Sequence, residues 1–454
     1  MTTDFLIPEF DSVKRQSSIV VAIFNLSATI VGGGVLSLPL AFSKCGIILG
    51  TLLMVIAAIT TERSLYLVCI CARITGATSY GEVGKVAFGK YMEYFISLLL
   101  SIFLMFVLVG YMVLLEDIWS PIVEIILGMD TAPDSQWVLL ALVLLMSPFL
   151  IQKSLHSLRY NCYVGFASVS LLCFALCRRA IVSPIPTPFL LWSTSYGDIL
   201  FAFPIFILSF LSVFNVLSIQ GSLIRPSRVR ILGVIDGAVT SCFVLMQLFG
   251  LAGYFLAGNQ TNGNILINAD IHSDWMFFLG RLGCGITIML AMAMMLLPCR
   301  SSLLEVVDVF LYGPHIVPVE VAEQIPLLHS TTNNGNDKNQ PTSLSESFNI
   351  TTHRPTLLDN SVAHYAATIG IVVLCYVVAV RVPGVAFVWS LCRSFMSFLI
   401  AFILPAACYL EIHRSHATAA SSESPAWVGF SWFLIISSVV ASIACTVHTV
   451  TSLV

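Results

Sequence analysis

The sequence predicts an all-α polytopic membrane protein, and three observations predict it. Only 10% of its 454 residues are charged and 57% are apolar, whereas an ordinary soluble domain carries charge on roughly a quarter of its residues. The apolar residues gather into eleven runs, each near the length of about 20 that an α-helix needs to cross a bilayer. The basic residues are sorted by side. With the N-terminus placed in the cytoplasm, fourteen of the 21 Lys and Arg lie on that side, four on the other, and Arg63, Arg281 and Arg393 inside spans. That is the asymmetry of an inserted chain, and an odd number of spans then puts the C-terminus on the lumenal or extracellular side. A net charge of −3 with no basic block argues against a nucleic-acid partner. The thirteen cysteines show neither a disulfide framework nor zinc spacing.

Taken in order, residues 1–18 are a polar cytoplasmic tail, in which Lys14 and Arg15 lead directly into a full-length span. This reads as an uncleaved first helix and not as a signal peptide. Spans follow near 19–42, 46–72, 92–115, 137–152, 160–177, 198–220, 231–257 and 275–298, so residues 19–311 hold transmembrane helices one to eight. Residues 312–360 are the one long polar stretch, with TTNNGNDKNQPTSLSES at its centre. Such a segment cannot fill a core and is expected to be a disordered cytoplasmic loop. Residues 361–454 hold helices nine to eleven, near 363–380, 385–410 and 427–453.

The first span carries Gly32, Gly33 and Gly34 in mid-membrane, with Pro39 following. Three successive glycines weaken a helix and clear one turn of side chains, so the backbone can unwind and expose its polar groups. In lipid that is tolerated only where those groups face a cavity or a ligand. Broken helices of this kind hold zwitterions in secondary transporters. Close helix packing through small residues explains the glycines as well.

The residues around this turn, FNLSATIVGGGVLSLPLAFSKCGIILG, resemble the first helix of the amino acid/auxin permease family. The likeness is to its sodium-coupled neutral amino acid transporters and plant-type vacuolar amino acid transporters. TGATSYGEVGKVAFGKYM is similar to that family's loop between spans two and three, and LSFLSVFNVLSIQGSL with RPSRVR to its sixth helix and basic loop. NILINAD, LPCRSSLLEVV and FILPAACYLEIHR continue the resemblance in order to the tenth helix. What the resemblance implies is an eleven-helix bundle of two inverted five-helix repeats, with helices one and six broken and the substrate between them. The matching positions are Thr29, Gly32, Gly33, Gly34 and Val35 in helix one, and Phe210, Ser212 and Asn215 in helix six.

Departures from the family qualify this picture. Sodium-coupled relatives use a side-chain amide in helix one and hydroxyls in helix eight. This chain has Ala28, Met289 and Ala291 there, none of which can ligate sodium, although Thr29 and Thr287 lie nearby. Helix six has Val213 and Ser218 in place of the family's frequent His and Pro, and no glycine. Unwinding there would centre on residues 209–212 or near Pro204. Its Phe201, Phe203, Phe206 and Phe210 shape either an apolar pocket or ordinary packing.

Charges inside spans are costly unless paired or wet. Glu62 and Arg63 lie in the second span and Arg393 in the tenth, where relatives usually have a glycine. Arg393 either supplies a fixed positive charge where others use an ion or meets a substrate carboxylate, or else it forms a structural pair with Glu62 or snorkels towards an interface, and Glu62 is the best acid for proton coupling. Asp198 and Asp236, near span ends, are expected to face water. Asn259 heads a glycosylation sequon in the loop after the seventh span, whereas the sequon at Asn349 falls in the cytoplasmic loop. In that loop Glu323, Leu327 and Leu328 have the acidic dileucine form read by clathrin adaptors, or arise by chance.

The expected protein is a secondary active or facilitative transporter of neutral amino acids, not sodium-dependent, in a vacuolar or lysosome-like membrane, with the plasma membrane as the alternative. A membrane amino acid sensor with little transport and a sodium-coupled symporter are the rival readings. No cofactor is implied beyond a possible coupling proton. No His-rich metal spacing, nucleophile elbow or intramembrane acid pair points to an enzyme.

Overall fold

The computed structural model describes residues 6–12, 15–128, 134–152, 161–182, 189–268, 275–312, 357, 360–382, 384–416 and 425–453; at 33, 161–162, 386, 390–393 and 453 this extends to the backbone alone. Among these residues the architecture is entirely helical, apart from one isolated bridge between Ser17 and Leu223.

The first span is broken. Helix α1, Ile19–Ile30, starts where the Ser18 hydroxyl accepts from the Val21 N–H at 3.3 Å, a side-chain N-cap. A 3-10 turn, Gly33–Ser37, then leads into α2, Leu38–Cys45, whose Pro39 lies at a first-turn position where no N–H is needed. The halves Ile19–Ile30 and Gly34–Cys45 are bent by 53°. Gly46, with φ +84°, turns the chain into α3, Ile47–Thr75. A Cβ there would come within 2.7 Å of the Leu191 backbone, so both conformation and close approach require glycine.

The short helix α4, Tyr80–Phe88, precedes two long central elements: α5, Lys90–Leu127, and, after several others, α11. Between them come α6, Ser135–Leu150; α7, Asn161–Val182; α8, Tyr196–Ser209; α9, Val213–Ser222; and α10, Arg228–Ala257. Helix α11, Trp275–Tyr312, packs along α5 and α7, while α1 and α2 lie against α10. The chain closes with α12, Ser361–Ala379; α13, Val385–Ser394; α14, Met396–Ser415; and α15, Ala426–Leu453.

Nine described helical stretches, with the α8–α9 run Tyr196–Ser222 counted as one, are long and apolar enough to cross a membrane, and the bent α1–α2 pair makes ten. The expected span at 137–152 is α6, whose 16 residues fall short of the roughly 17–25 that a crossing takes. Eleven spans would require α6 to cross as well. The expected tenth span is divided between α13 and α14, and α14 contains a π-helical stretch, Leu399–Ile403. A π-turn displaces carbonyls from the usual ladder. Here the Tyr80 hydroxyl donates to Ile400 O at 3.0 Å and the Ser64 hydroxyl to Ala401 O.

The expected polar tail is attached where it is described. Ser17 N–H donates to Ser222 O at 2.9 Å, and Ile224 N–H to Ser17 O at 3.0 Å. Arg15, 6% exposed, donates to the carbonyls of Gln220 at 2.7 Å and Gly221 at 3.1 Å beyond the middle of α9. Arg281 acts similarly on the opposite side of the bundle. Its guanidinium donates to Ile118 O at 3.3 Å and Leu266 O at 3.1 Å, and also to Asp117 O. It thereby fixes the loop after α10 to α5. The expected loop at 312–360, with Glu323, Leu327, Leu328 and Asn349, lies almost wholly outside the described residues.

Candidate binding site

The break in the first span makes the site possible. An α-helix leaves its last carbonyls without partners of its own, and the segment that follows begins with free N–H groups. Gly32 is extended, with φ −115° and ψ −163°, so the chain runs straight across the gap between α1 and the 3-10 turn. A Cβ on Gly32 would come within 3.3 Å of the Tyr111 hydroxyl, and one on Gly34 within 3.6 Å of the Ser209 hydroxyl. The glycines thus bring main chain close to α5 and α8.

The sixth span is interrupted between α8 and α9 without any glycine. Pro204 lies inside α8, the Ser209 hydroxyl donates to Ile205 O at 2.8 Å, and the Ser212 hydroxyl turns to Phe210 O at 3.4 Å. Such side-chain bonds compete with the helical ladder. The helix restarts at Val213, with Asn215 N–H donating to Ser212 O at 3.0 Å.

Two cavities adjoin the first break. The larger, about 90 Å³, lies among α1, α5, α7, α9 and α11 and is lined by Thr29, Gly32, Val35, Asn215 and Thr287 together with Ala28 and Ala291. The smaller, about 60 Å³, is lined by Thr29, Gly32, Gly34, Ser209 and Trp389 among others. Tyr111 and Met295 line both. No acidic or basic side chain lines either cavity among the described residues. The hydroxyl protons of Thr29 and Thr287 go to main-chain carbonyls one turn back, Asn25 O at 3.0 Å and Gly283 O at 2.8 Å.

The structure therefore gathers Thr29, Gly32, Gly34, Val35, Asn215 and Thr287 around the break, with the backbone of Gly33 opening the 3-10 turn between them. Phe210 and Ser212 are fully buried at the second break and line neither cavity. Glu62 is also remote. Its carboxylate meets Arg63 Nε at 3.3 Å and neighbours the Asp236 carboxylate, beside an outer groove between α3 and α10. Asp236 thus faces a second acid, a pairing that neither its distance from Glu62 in the chain nor its expected exposure to water suggests. Asp198 accepts from the Ser193 hydroxyl at 3.2 Å. The Arg393 side chain lies outside the described residues.

Among the cavity residues that escape sequence reasoning are Tyr111 and Trp389. The only signal for them is Gly110, where a Cβ would come within 2.8 Å of the Trp389 ring. A lone glycine in an apolar run does not name the residue for which it makes room.

Known proteins resemble the chain throughout its length. It is 24% identical to amino acid transporter AVT6E of Arabidopsis thaliana over 99% of this chain and 86% of that one. It is also 24% identical to vacuolar amino acid transporter 7 of Saccharomyces cerevisiae, over 65% of this chain and 61% of the yeast protein. Human solute carrier family 38 member 10 is 23% identical over 92% of this chain, which spans 34% of that longer protein. Among solved structures, Mhp1, a nucleobase-cation-symport-1 family transporter in a closed conformation, superposes with a TM-score of 0.55 at 10% identity, covering 99% of this chain and 94% of Mhp1. That likeness is one of fold. The model of the family described as transmembrane amino acid transporter protein matches residues 15–451, and the chain belongs to that family.

Proposed function

We propose that this protein carries neutral amino acids across an endomembrane by alternating access, without sodium. The observation that carries the proposal is the uncharged wall of the two cavities beside a broken helix. A zwitterion brings one charge of each sign, which main-chain groups at the break can meet. A third charge on the substrate side chain would be desolvated without a partner. The sodium reading is disfavoured because Ala28 and Ala291 line the larger cavity and offer no oxygen, and a hard cation binds through oxygen ligands.

Proton coupling and facilitated diffusion are the two remaining sources of drive, and Glu62 is the acid proposed for the former. The vacuolar names of relatives such as the yeast protein support an endomembrane. Glu323, Leu327 and Leu328 are proposed to recruit a clathrin adaptor from the cytoplasm, with the N-terminus on that side and the C-terminus in the lumen.

Uptake of a labelled amino acid panel into proteoliposomes tests this directly. Flux is expected to persist when choline replaces sodium at constant pH, and to respond to an imposed pH gradient if proton-coupled, with Glu62→Gln blunting that response. Collapse without sodium would sink the proposal and turn attention to Thr29 and Thr287. Binding without flux would favour a sensor.

A further inference from the structure

The two cavities differ in a way that orients a substrate. The larger is walled mainly by apolar groups, among them Val31, Val169, Cys284, Ile288 and Met294. At about 90 Å³ it has room for roughly six or more water-sized groups, enough for a branched or thioether side chain. The smaller, about 60 Å³, has room for roughly four. It contains the main chain at Gly32 and Gly34, the Ser209 side chain and Trp389.

Trp389 is 4% exposed, and its indole N–H has no hydrogen-bond partner among the described residues. Gly110 keeps the six-membered ring in place by leaving room for it. Burying a donor without an acceptor costs free energy that native structures rarely leave uncompensated. A carboxylate in the smaller cavity would be such an acceptor.

We propose that Trp389 is a carboxylate-binding residue and that the larger cavity is the side-chain subsite. The substrate then lies across the break. Its carboxylate meets Trp389 and the main chain near Gly34, its ammonium sits at the waist where Thr29 and Tyr111 line both cavities, and its side chain enters the apolar cavity. This rests on the amino acid reading above and narrows it. The favoured substrates are α-amino acids with apolar side chains of the size of valine, leucine or methionine.

The test compares leucine with leucinol, which lacks the carboxylate, as competitors of labelled leucine uptake in proteoliposomes, with folding checked by size-exclusion chromatography. Trp389→Phe keeps a ring and removes the N–H. It is expected to weaken leucine roughly tenfold or more while leaving leucinol inhibition near its wild-type value. Equal weakening of both, or of neither, overturns the carboxylate assignment. A second variant, Ala291→Leu, crowds the larger cavity and is expected to shift the leucine-to-alanine uptake ratio about tenfold toward alanine. An unchanged ratio overturns the side-chain assignment. If the wild-type protein moves and binds no amino acid at all, the transport reading fails with this one, whereas transport with the wrong pattern removes this inference alone.

Discussion

Gly32 and Gly370 are both transmembrane glycines, yet they differ in what surrounds them. A Cβ at Gly32 meets the Tyr111 hydroxyl at 3.3 Å, whereas one at Gly370 meets nothing within 4 Å. Gly32→Val is therefore expected to reach the membrane and lose uptake by roughly tenfold or more, about 1.4 kcal/mol or more of binding. Gly370→Ala should transport normally and stabilise slightly, because alanine is the better helix former. Uptake normalised to the monodisperse protein recovered checks both, and normal affinity in Gly32→Val would leave the glycines as packing residues. Asn259 is exposed just past α10, in the 3-10 turn Gly258–Gln260. Glycosidase treatment should shift the protein's mobility through Asn259 alone, and sugar on Asn349 would invert the proposed orientation. At this scale the sequence is readable where a residue is odd in its own segment, as three glycines in a span are. Trp389 and Tyr111 are ordinary in theirs and gain meaning only from partners brought together by folding.

Helices α5 and α11 are joined by one buried cation. Arg281, 4% exposed, spends its guanidinium on three main-chain carbonyls from α5 and the loop after α10. Arg281→Met should lower the unfolding temperature in detergent by several degrees, since each buried carbonyl left unpaired costs about 1–3 kcal/mol. An unchanged melting profile would mean that water replaces the guanidinium. The spans themselves were legible because a run of about 20 apolar residues has few alternatives to a crossing helix. The break in the tenth span was not legible, since Phe395 between α13 and α14 carries no proline or glycine signal. The sixth span is intermediate: residues 209–212 and Pro204 are alternative weak points, Pro204 lies inside α8, and the interruption at 210–212 falls at the former. Helix α4 has nine residues, too few for a hydropathy window to separate from a loop.

The whole molecule buries or half-buries every described free cysteine, although thirteen occur in the chain. Thiols inside a bundle are screened from water and lipid headgroups alike. A membrane-impermeant thiol reagent in sealed proteoliposomes should therefore inactivate uptake chiefly through Cys284, which lines the larger cavity and meets water when alternating access opens it, and saturating substrate should slow that inactivation. Inactivation that substrate does not slow would place the reactive thiol outside the cavity. The superposition on Mhp1 at 10% identity shows why the fold was easier to foresee than the substrate. Apolar length and helix breaks constrain the bundle, whereas substrate choice depends on a few side chains that almost any sequence change can alter.

The attachment of Arg15 to the carbonyls of Gln220 and Gly221 spans 205 and 206 residues of chain. At a synthesis rate of ~5–20 residues per second, α9 emerges about ten to forty seconds after Arg15 does. During that interval Arg15 is a free cation, which under the proposed orientation can hold its flank in the cytoplasm while α1 inserts. Once α9 arrives, the same guanidinium is withdrawn from solvent and spent on main-chain oxygens. Under that orientation one residue would serve in succession as a biogenesis signal and as a fastening. An Arg15→Gln chain whose orientation is restored by a new arginine farther upstream would separate the two: correct topology with a loosened inner face.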